Sequence, residues 1–130
     1  MDQAYLLDAS ALLALIRNEP GADRVKAVFD SSAIHALNLA EVVRKMICQG
    51  MPAAEVQALL EDLNLTVIEE FGQAQAYVAG QLAAGNPRLG LSLGDSVCLT
   101  AAERKGMTAV TADRRWSGLP GRDVKILQIR

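Results

Sequence analysis

Short apolar runs alternate along the chain with longer stretches in which apolar residues recur at helical spacing. The run at residues 4–7 predicts a buried strand, and the stretch at 9–16 predicts a helix directly after it. Four more strands are predicted at residues 33–37, 65–68, 108–111 and 124–129, the last at a sheet edge. Further helices are predicted at about 22–30, 38–49, 52–63, 72–84 and 92–105. Strands that alternate with helices predict an α/β fold, with a parallel sheet wrapped by helices.

Length, composition and charge narrow this prediction. The length of 130 residues fits one domain, residues 1–130, with a full core and no linker. Aromatic residues make up only 4% of the chain, so we expect an aliphatic core. The formal net charge of −2 excludes a generically basic nucleic-acid-binding protein. Residues 111–130 nevertheless carry five Lys or Arg against two Asp, which permits one basic face.

The two cysteines, Cys48 and Cys98, lie in apolar helical patterns without a CxxC motif or a Cys/His cluster. This pattern predicts buried, reduced thiols, and it leaves a disulfide or another redox role open. No secretory signal is visible, and no apolar stretch reaches the length of a membrane span. We therefore expect a cytoplasmic protein with no membrane association.

Four acidic residues stand near junctions between predicted strands and helices. Asp8 and Asp113 follow strands, and Glu41 lies a few residues beyond another. The carboxyl ends of parallel strands share one edge, where open α/β folds place their ligands. Asp95 opens a helix that leads into the fourth strand, so we expect it near the same edge. The pattern predicts four carboxylates on one rim of the sheet.

Helix capping is the alternative explanation for each of these acids, because a side-chain oxygen satisfies free N–H groups of a first helical turn. Two pairs have the spacing of a capping box, in which the third helical residue bonds back to the cap. These two pairs are Asn38–Glu41 and Ser92–Asp95. Either Asp8 or Ser10 could cap the first helix, and Asp113 could start a short helix.

Four carboxylates on one rim repel each other, since two charges ~4 Å apart cost on the order of 4 kcal/mol at an effective dielectric of ~20. Such a cluster persists if some acids are protonated or if divalent cations neutralise them. Oxygen ligands alone favour Mg²⁺ or Mn²⁺ over Zn²⁺. A cation held in this way suits phosphodiester hydrolysis. The hydroxyls of Ser10 and Thr111 are candidates to orient the carboxylates.

Four short motifs carry a family resemblance. They are Leu-Asp-Ala-Ser-Ala-Leu at 7–12, Leu-Asn-Leu-Ala-Glu-Val at 37–42, Gly-Leu-Ser-Leu-Gly-Asp at 90–95 and Val-Thr-Ala-Asp-Arg at 110–114. In order and spacing they resemble the PIN-domain family, most closely the VapC toxins of bacterial toxin–antitoxin pairs, over essentially the whole chain. One departure is Ser96, at a position that is often Arg or Ala in such proteins, and it leaves the basic contacts to RNA open.

The resemblance implies a Rossmann-like, three-layer α/β/α PIN domain with a central parallel sheet of about five strands. It also implies an endoribonuclease that depends on Mg²⁺ or Mn²⁺. VapC-like proteins are typically homodimers, and the carboxyl-terminal segment of a VapB-like antitoxin silences them by occupying the acidic groove. The implied catalytic and metal-binding residues are Asp8, Glu41, Asp95 and Asp113, with Ser10 and Thr111 beside them.

Four other residues have functional and structural interpretations. Arg114 and Arg115 either hold RNA phosphates beside Asp113 or are ordinary solvated charges. His35, the only histidine, falls within the second predicted strand, so a packing role is favoured over a general base. For Trp116 we favour covering the end of the sheet or a dimer contact over stacking on a base.

Three other functions fit parts of the pattern. A receiver-like signalling domain needs an Asp after the third strand and a Lys after the fifth, whereas this chain has Glu69 and Glu70 there and Lys125 at the start of its last strand. A phosphatase with Asp8 as nucleophile needs a second acid where Ser10 stands. A catalytically silent PIN-like binding module has no reason to keep four mutually repelling acids.

Overall fold

The computed structural model describes residues 3–119 and 122–130, in which five short strands alternate with helices. The strands are β1 (Tyr5–Leu7), β2 (Ser32–His35), β3 (Thr66–Ile68), β4 (Thr108–Thr111) and β5 (Lys125–Gln128). The α-helices are α1 (Ala9–Arg17), α2 (Ala22–Val28), α3 (Ala36–Cys48), α4 (Ala53–Asp62), α5 (Gln73–Gly85) and α6 (Leu93–Lys105). Short 3₁₀ helices lie at Phe29–Ser31, Pro87–Leu89 and Arg114–Gly118.

The strands form one parallel sheet in the order β3-β2-β1-β4-β5. In the register, Leu7 of β1 lies beside Ile34 of β2 and Val110 of β4. The chain builds the sheet outward from β1 to β3 and then returns to the other side of β1 with β4. Such a reversal opens a crevice at the carboxyl ends of the two strands concerned, here β1 and β4. The parallel sheet and the edge position of the last strand are confirmed.

Helices cover both faces of the sheet. Successive strand residues point to opposite sides, and here both sides are apolar, so each face packs against helices. Leu7, Ile34 and Val110 belong to a core with apolar residues of α1 to α4. Leu6, Ala33 and Ala109 belong to a second core with residues of α5 and α6. The three-layer α/β/α arrangement is therefore confirmed, with mainly aliphatic cores on both sides.

The second strand is shorter than predicted, and α3 begins earlier. β2 ends at His35, whose Nδ1 accepts a hydrogen bond from the backbone N–H of Leu37 at 3.1 Å. His35 is thereby the N-cap of α3, and Leu37 belongs to the helix. The prediction that Asn38 and Glu41 form a capping box was wrong, because Asn38 already lies inside the first turn.

The two cysteines differ in exposure, and both are free. Cys98 is buried, as predicted, whereas Cys48 is exposed because it is the last residue of α3 and lies on an outer surface. Among the residues described, no helix combines the length and the apolar character needed to cross a lipid bilayer.

Candidate active site

The carboxylate of Asp8 lies where β1 passes into α1, and it is only 4% exposed. Its Oδ1 accepts hydrogen bonds from the backbone N–H of Ala11 at 2.8 Å and from the Ser10 hydroxyl at 2.7 Å. Its Oδ2 accepts one from the Thr111 hydroxyl at 2.6 Å. Asp8 is therefore the N-cap of α1 and also faces the carboxyl end of β4. Asp8 thus both caps a helix and lies at the carboxyl edge of the sheet.

The hydroxyls of Ser10 and Thr111 connect this carboxylate to the chain that follows β4. Thr111 is fully buried, and its Oγ1 also accepts the backbone N–H of Asp113 at 2.9 Å. Ser10 Oγ accepts the backbone N–H of Ala112 at 2.9 Å. Both hydroxyls donate to Asp8 and accept from backbone N–H groups that follow β4. They therefore fix the orientation of the Asp8 carboxylate between β1 and β4, where the strand order reverses.

Burial raises the pKa of Asp8 from 3.8 to about 6. The hydrogen bonds from Thr111, Ser10 and the Ala11 N–H oppose this rise, and the charge of Asp95 adds to it. In the part of the chain that the structure describes, the hydrogen-bond donors to Asp8 are neutral groups. A buried carboxylate with neutral donors and a nearby second acid is an environment that favours a bound cation.

Glu41 lies in the second turn of α3, and its position depends on Asn38. The Asn38 side chain is 1% exposed, and its Nδ2 donates to Glu41 Oε1 and to the Gly94 carbonyl, each at 3.0 Å. A Cβ atom built on Gly94 would lie 2.7 Å from Glu41 Cδ. A side chain at position 94 would therefore displace this carboxylate from its place at the start of α6.

Asp95 forms the predicted capping box with Ser92. The Asp95 backbone N–H donates to Ser92 Oγ at 3.1 Å, and the Ser92 backbone N–H donates to Asp95 Oδ2 at 3.0 Å. Asp95 directly follows Gly94, which contacts Glu41, so the first turn of α6 brings the two acids to the same rim.

Asp113 is the N-cap of the 3₁₀ helix Arg114–Gly118, which confirms that it starts a short helix. Its carboxylate forms an ion pair with Arg115, whose hydrogen bonds hold the pKa of Asp113 below its usual value. Arg115 is therefore bound within the protein rather than simply solvated. Arg114 makes a different contact, since its Nε donates to the Arg130 carbonyl at 3.3 Å.

The charges of Asp8, Asp95 and Glu41 all act on the thiol of Cys98. Burial raises the pKa of this thiol well above its ordinary value, and the three carboxylates raise it further in that order. Three of the four predicted acids thus lie near enough to Cys98 for their charges to act on its thiol. Over residues 3–119 and 122–130, however, no three His, Cys, Asp or Glu side chains form a ready-made metal site. The oxygen donors fit a hard divalent cation by their chemistry, and binding one would require some of these side chains to move closer together.

His35 and Trp116 have structural roles. His35 is 1% exposed, with Nδ1 bonded to the Leu37 N–H, Nε2 3.0 Å from the Glu70 carbonyl and its ring edge-to-face with Phe71. Trp116 is fully buried in the core between the sheet and α6, so it is available neither to a base nor to a partner. The packing interpretation of His35 is confirmed. For Trp116 the burial agrees with the favoured role of covering the sheet, whereas the alternative role in a dimer contact was wrong.

Sequence reasoning missed two positioning residues, Asn38 and Gly94. From its spacing to Glu41, Asn38 is interpreted as a helix cap. Its hydrogen bond to the Gly94 carbonyl joins residues far apart in the chain, so local spacing does not reveal it. The available signal was a glycine directly before Asp95 in the first turn of a helix, where glycine is unfavourable unless close packing requires it.

Comparisons with known proteins agree with this architecture. The PIN domain family model matches residues 5–121. Similar solved structures include DNA-bound VapBC from Salmonella typhimurium, with 20% identity, a TM-score of 0.72 and coverage of 100% of both chains. VapBC2 from Rickettsia felis, bound to a promoter DNA fragment, has 16% identity, a TM-score of 0.71 and coverage of 95% of this chain and 97% of that one.

A toxin–antitoxin complex from Klebsiella pneumoniae gives 18% identity and a TM-score of 0.68, over 97% of this chain and 98% of that one. At these identities the structures establish a shared fold. A comparison with curated proteins finds no relative that matches this chain.

Proposed function

The chain belongs to the PIN-domain family, and from this premise we propose that it is a VapC-type toxin, an endoribonuclease that hydrolyses RNA phosphodiester bonds with Mg²⁺ or Mn²⁺. The observation that carries the proposal is the buried Asp8 carboxylate where the sheet order reverses, with the charge of Asp95 near enough to raise its pKa. A receiver-like signalling domain is excluded, because it belongs to a different family.

Asp8, Glu41, Asp95 and Asp113 would hold the cation, which would supply an acidified water and neutralise charge on the phosphate. The protein positions these acids from four separate segments. Thr111 and Ser10 orient Asp8, Asn38 orients Glu41, and the Ser92 capping box fixes Asp95. These contacts hold three of the acids in place, so only part of the site has to reorganise when the cation and the RNA bind.

The proposal includes RNA-binding and protein-binding surfaces. Arg114 and Arg115 lie directly after Asp113 and are exposed, which places two cations beside the acidic rim for RNA phosphates. Large apolar side chains that stay exposed on the single chain would serve a homodimer. They are Leu37, Phe71, Tyr77, Val78 and Leu93.

A VapB-like antitoxin is proposed as the second partner, supported by the toxin–antitoxin complexes among the structural neighbours. An apolar groove between α3, α4 and β3, which includes Leu39, Val43 and Leu60, gives such a partner a surface to dock on. The proposal treats residues 1–130 as a single domain that acts on RNA in the cytoplasm.

Cleavage of total RNA, with and without Mn²⁺, by the wild type and by Asp8→Asn and Asp95→Asn tests the nuclease. We expect cleavage by the wild type only with the cation and at least a 100-fold loss in both variants, each still folded by circular dichroism. Asp62→Asn, an exposed acid at the end of α4, is the charge-matched control and should cleave normally. Equal cleavage by Asp8→Asn would refute the proposed site.

A catalytically silent binding module is the second candidate, because Asp113 is ion-paired and the described residues contain no ready-made metal site. A cation that binds only the native state raises the melting temperature. A wild-type melting temperature unchanged by millimolar Mn²⁺, together with absent cleavage, would favour the silent module.

A further inference from the structure

The side chain and backbone of Arg115 donate hydrogen bonds to both oxygens of the Asp113 carboxylate. Oδ1 accepts the Arg115 backbone N–H and Nε, both at 2.9 Å. Oδ2 accepts Nη2 at 2.5 Å and a longer bond from Nε at 3.1 Å. Three N–H groups of Arg115 thus make four contacts, because Nε is shared between the two oxygens. Both oxygens are engaged, so a cation that binds this carboxylate has to compete with the guanidinium.

The rest of the rim also holds the guanidinium in this position. Nη1 of Arg115 donates to the Gly90 carbonyl at 3.4 Å, and a Cβ atom at Gly90 would lie 2.9 Å from that nitrogen. Asp113 raises the pKa of Arg115 through its hydrogen bonds and its charge, and Asp95 contributes to the rise. The cationic group therefore lies within the field of two of the four proposed metal ligands.

The Arg115 side chain is also 51% exposed, so it can move into solvent without leaving a cavity. Ion pairs this exposed contribute little to stability, because water screens the two charges and the long side chain loses freedom when it pairs. A divalent cation held by several carboxylates competes well against a contact of that strength. Arg115 is thus bound firmly enough to occupy Asp113 and weakly enough to be displaced.

We propose that Arg115 is an internal competitor of the divalent cation: its guanidinium occupies the Asp113 carboxylate in the cation-free protein, and the cation must displace it to complete the site. The inference rests on the proposed metal-dependent function and adds a residue that sets the affinity for the cation.

Titration calorimetry with Mn²⁺ at pH 7.5 tests the competition in the full chain. Arg115→Gln removes the positive charge and the fork of donors, and we expect a Kd for Mn²⁺ about 3- to 10-fold lower than in the wild type. Arg115→Lys keeps the charge but cannot donate two parallel hydrogen bonds, so its Kd for Mn²⁺ should lie between those of the wild type and Arg115→Gln. Arg17→Gln is the matched control, because Arg17 is exposed at the end of α1 and bonds to the Gln49 side chain, and its Kd should stay within about 2-fold.

A second measurement follows the displacement in the wild type without any substitution. As diamagnetic Mg²⁺ is titrated into the protein, the Nε–H signal of Arg115 in a ¹⁵N-edited NMR spectrum should shift and lose protection from solvent exchange. Mn²⁺ binding to the wild type with an unchanged or weaker affinity in Arg115→Gln would overturn this inference alone. Absence of cation binding in every variant would overturn it together with the proposed nuclease.

Discussion

The hydroxyl of Thr111 donates to Oδ2 of Asp8 at 2.6 Å and so joins the carboxyl ends of two neighbouring strands, 103 residues apart in the sequence. These are the strands β1 and β4, between which the order of the sheet reverses. The bond keeps a buried carboxylate satisfied while no cation is bound, and it orients that carboxylate toward the crevice where a cation would enter.

Replacing Thr111 by Val removes this bond at nearly constant shape. We expect a loss of about 1–3 kcal/mol in the free energy of unfolding, because a buried acceptor loses its partner. The pKa of Asp8 should rise above its value of about 6, since the Thr111 bond lowers it. Thr111→Ser keeps the hydroxyl and should restore both properties. Urea denaturation and a ¹³C NMR titration of the Asp8 carboxyl measure them, and a Val variant with an unchanged pKa would contradict the assignment.

Asp8 gives the cation-free protein a specific dependence of stability on pH. The folded state holds its proton up to about pH 6, whereas the unfolded chain releases it near 3.8. Between these values the folded state binds more protons, so the free energy of unfolding contributed by this group falls as the pH rises. A shift of about two units corresponds to roughly 3 kcal/mol above pH 6.

Asp8→Asn removes this contribution and keeps an oxygen for the cap of α1. Without divalent cations, we expect the stability of the variant relative to the wild type to increase from pH 4 to pH 7, by roughly 1–3 kcal/mol. Saturating Mg²⁺ should stabilise the wild type more than the variant. Urea denaturation at several pH values measures the difference, and a difference that stays constant over this range would show that Asp8 is not the group responsible.

The features that the sequence predicted correctly depend on contacts between residues close in the chain. The cap at Asp8, the Ser92–Asp95 capping box and the helix start at Asp113 are bonds over two or three residues. The parallel sheet followed from the alternation of strands and helices together with the family resemblance. Local spacing therefore carried enough information for the α/β sheet and for the capping positions of three of the acids.

The remaining features depend on distant partners or on side chains with several possible roles. The amide of Asn38 meets a carbonyl 56 residues away, which no local spacing reveals. His35 caps α3 with a ring nitrogen, and the usual capping residues Ser, Thr, Asp and Asn gave no signal there. The pairing of Arg115 with Asp113 is short-range, but the sequence offered solvent and RNA phosphates as equally plausible partners.

His35 should be required for stability and dispensable for cleavage, because both of its ring nitrogens are engaged inside the protein. We expect His35→Ala to lose about 1–3 kcal/mol of unfolding free energy through the lost cap and the lost contact with the Glu70 carbonyl. His35→Asn keeps a capping oxygen and should recover part of it. RNA cleavage by the folded fraction of either variant should stay within a few-fold of the wild type, whereas a 100-fold loss would indicate a direct chemical role.

Gly94 offers the sharpest test of how Glu41 is positioned. Gly94→Ala adds a Cβ atom that would lie 2.7 Å from Glu41 Cδ, so the carboxylate must leave its place beside the Asn38 amide. We expect at least a 10-fold loss of cleavage and weaker Mn²⁺ binding. The effect on stability should be small, because the helix propensity of alanine offsets about 1 kcal/mol of the strain.

Gly80→Ala is the matched control, because Gly80 lies inside α5 with no atom within 4 Å of an added Cβ. The same chemical change there should raise the free energy of unfolding by about 0.5–1 kcal/mol and leave cleavage and cation affinity unchanged. Full activity in Gly94→Ala would mean that Glu41 acts from another position or does not act at all. If both glycine variants lost activity, the cause would be the stiffening of a helix and not the displacement of the Glu41 carboxylate.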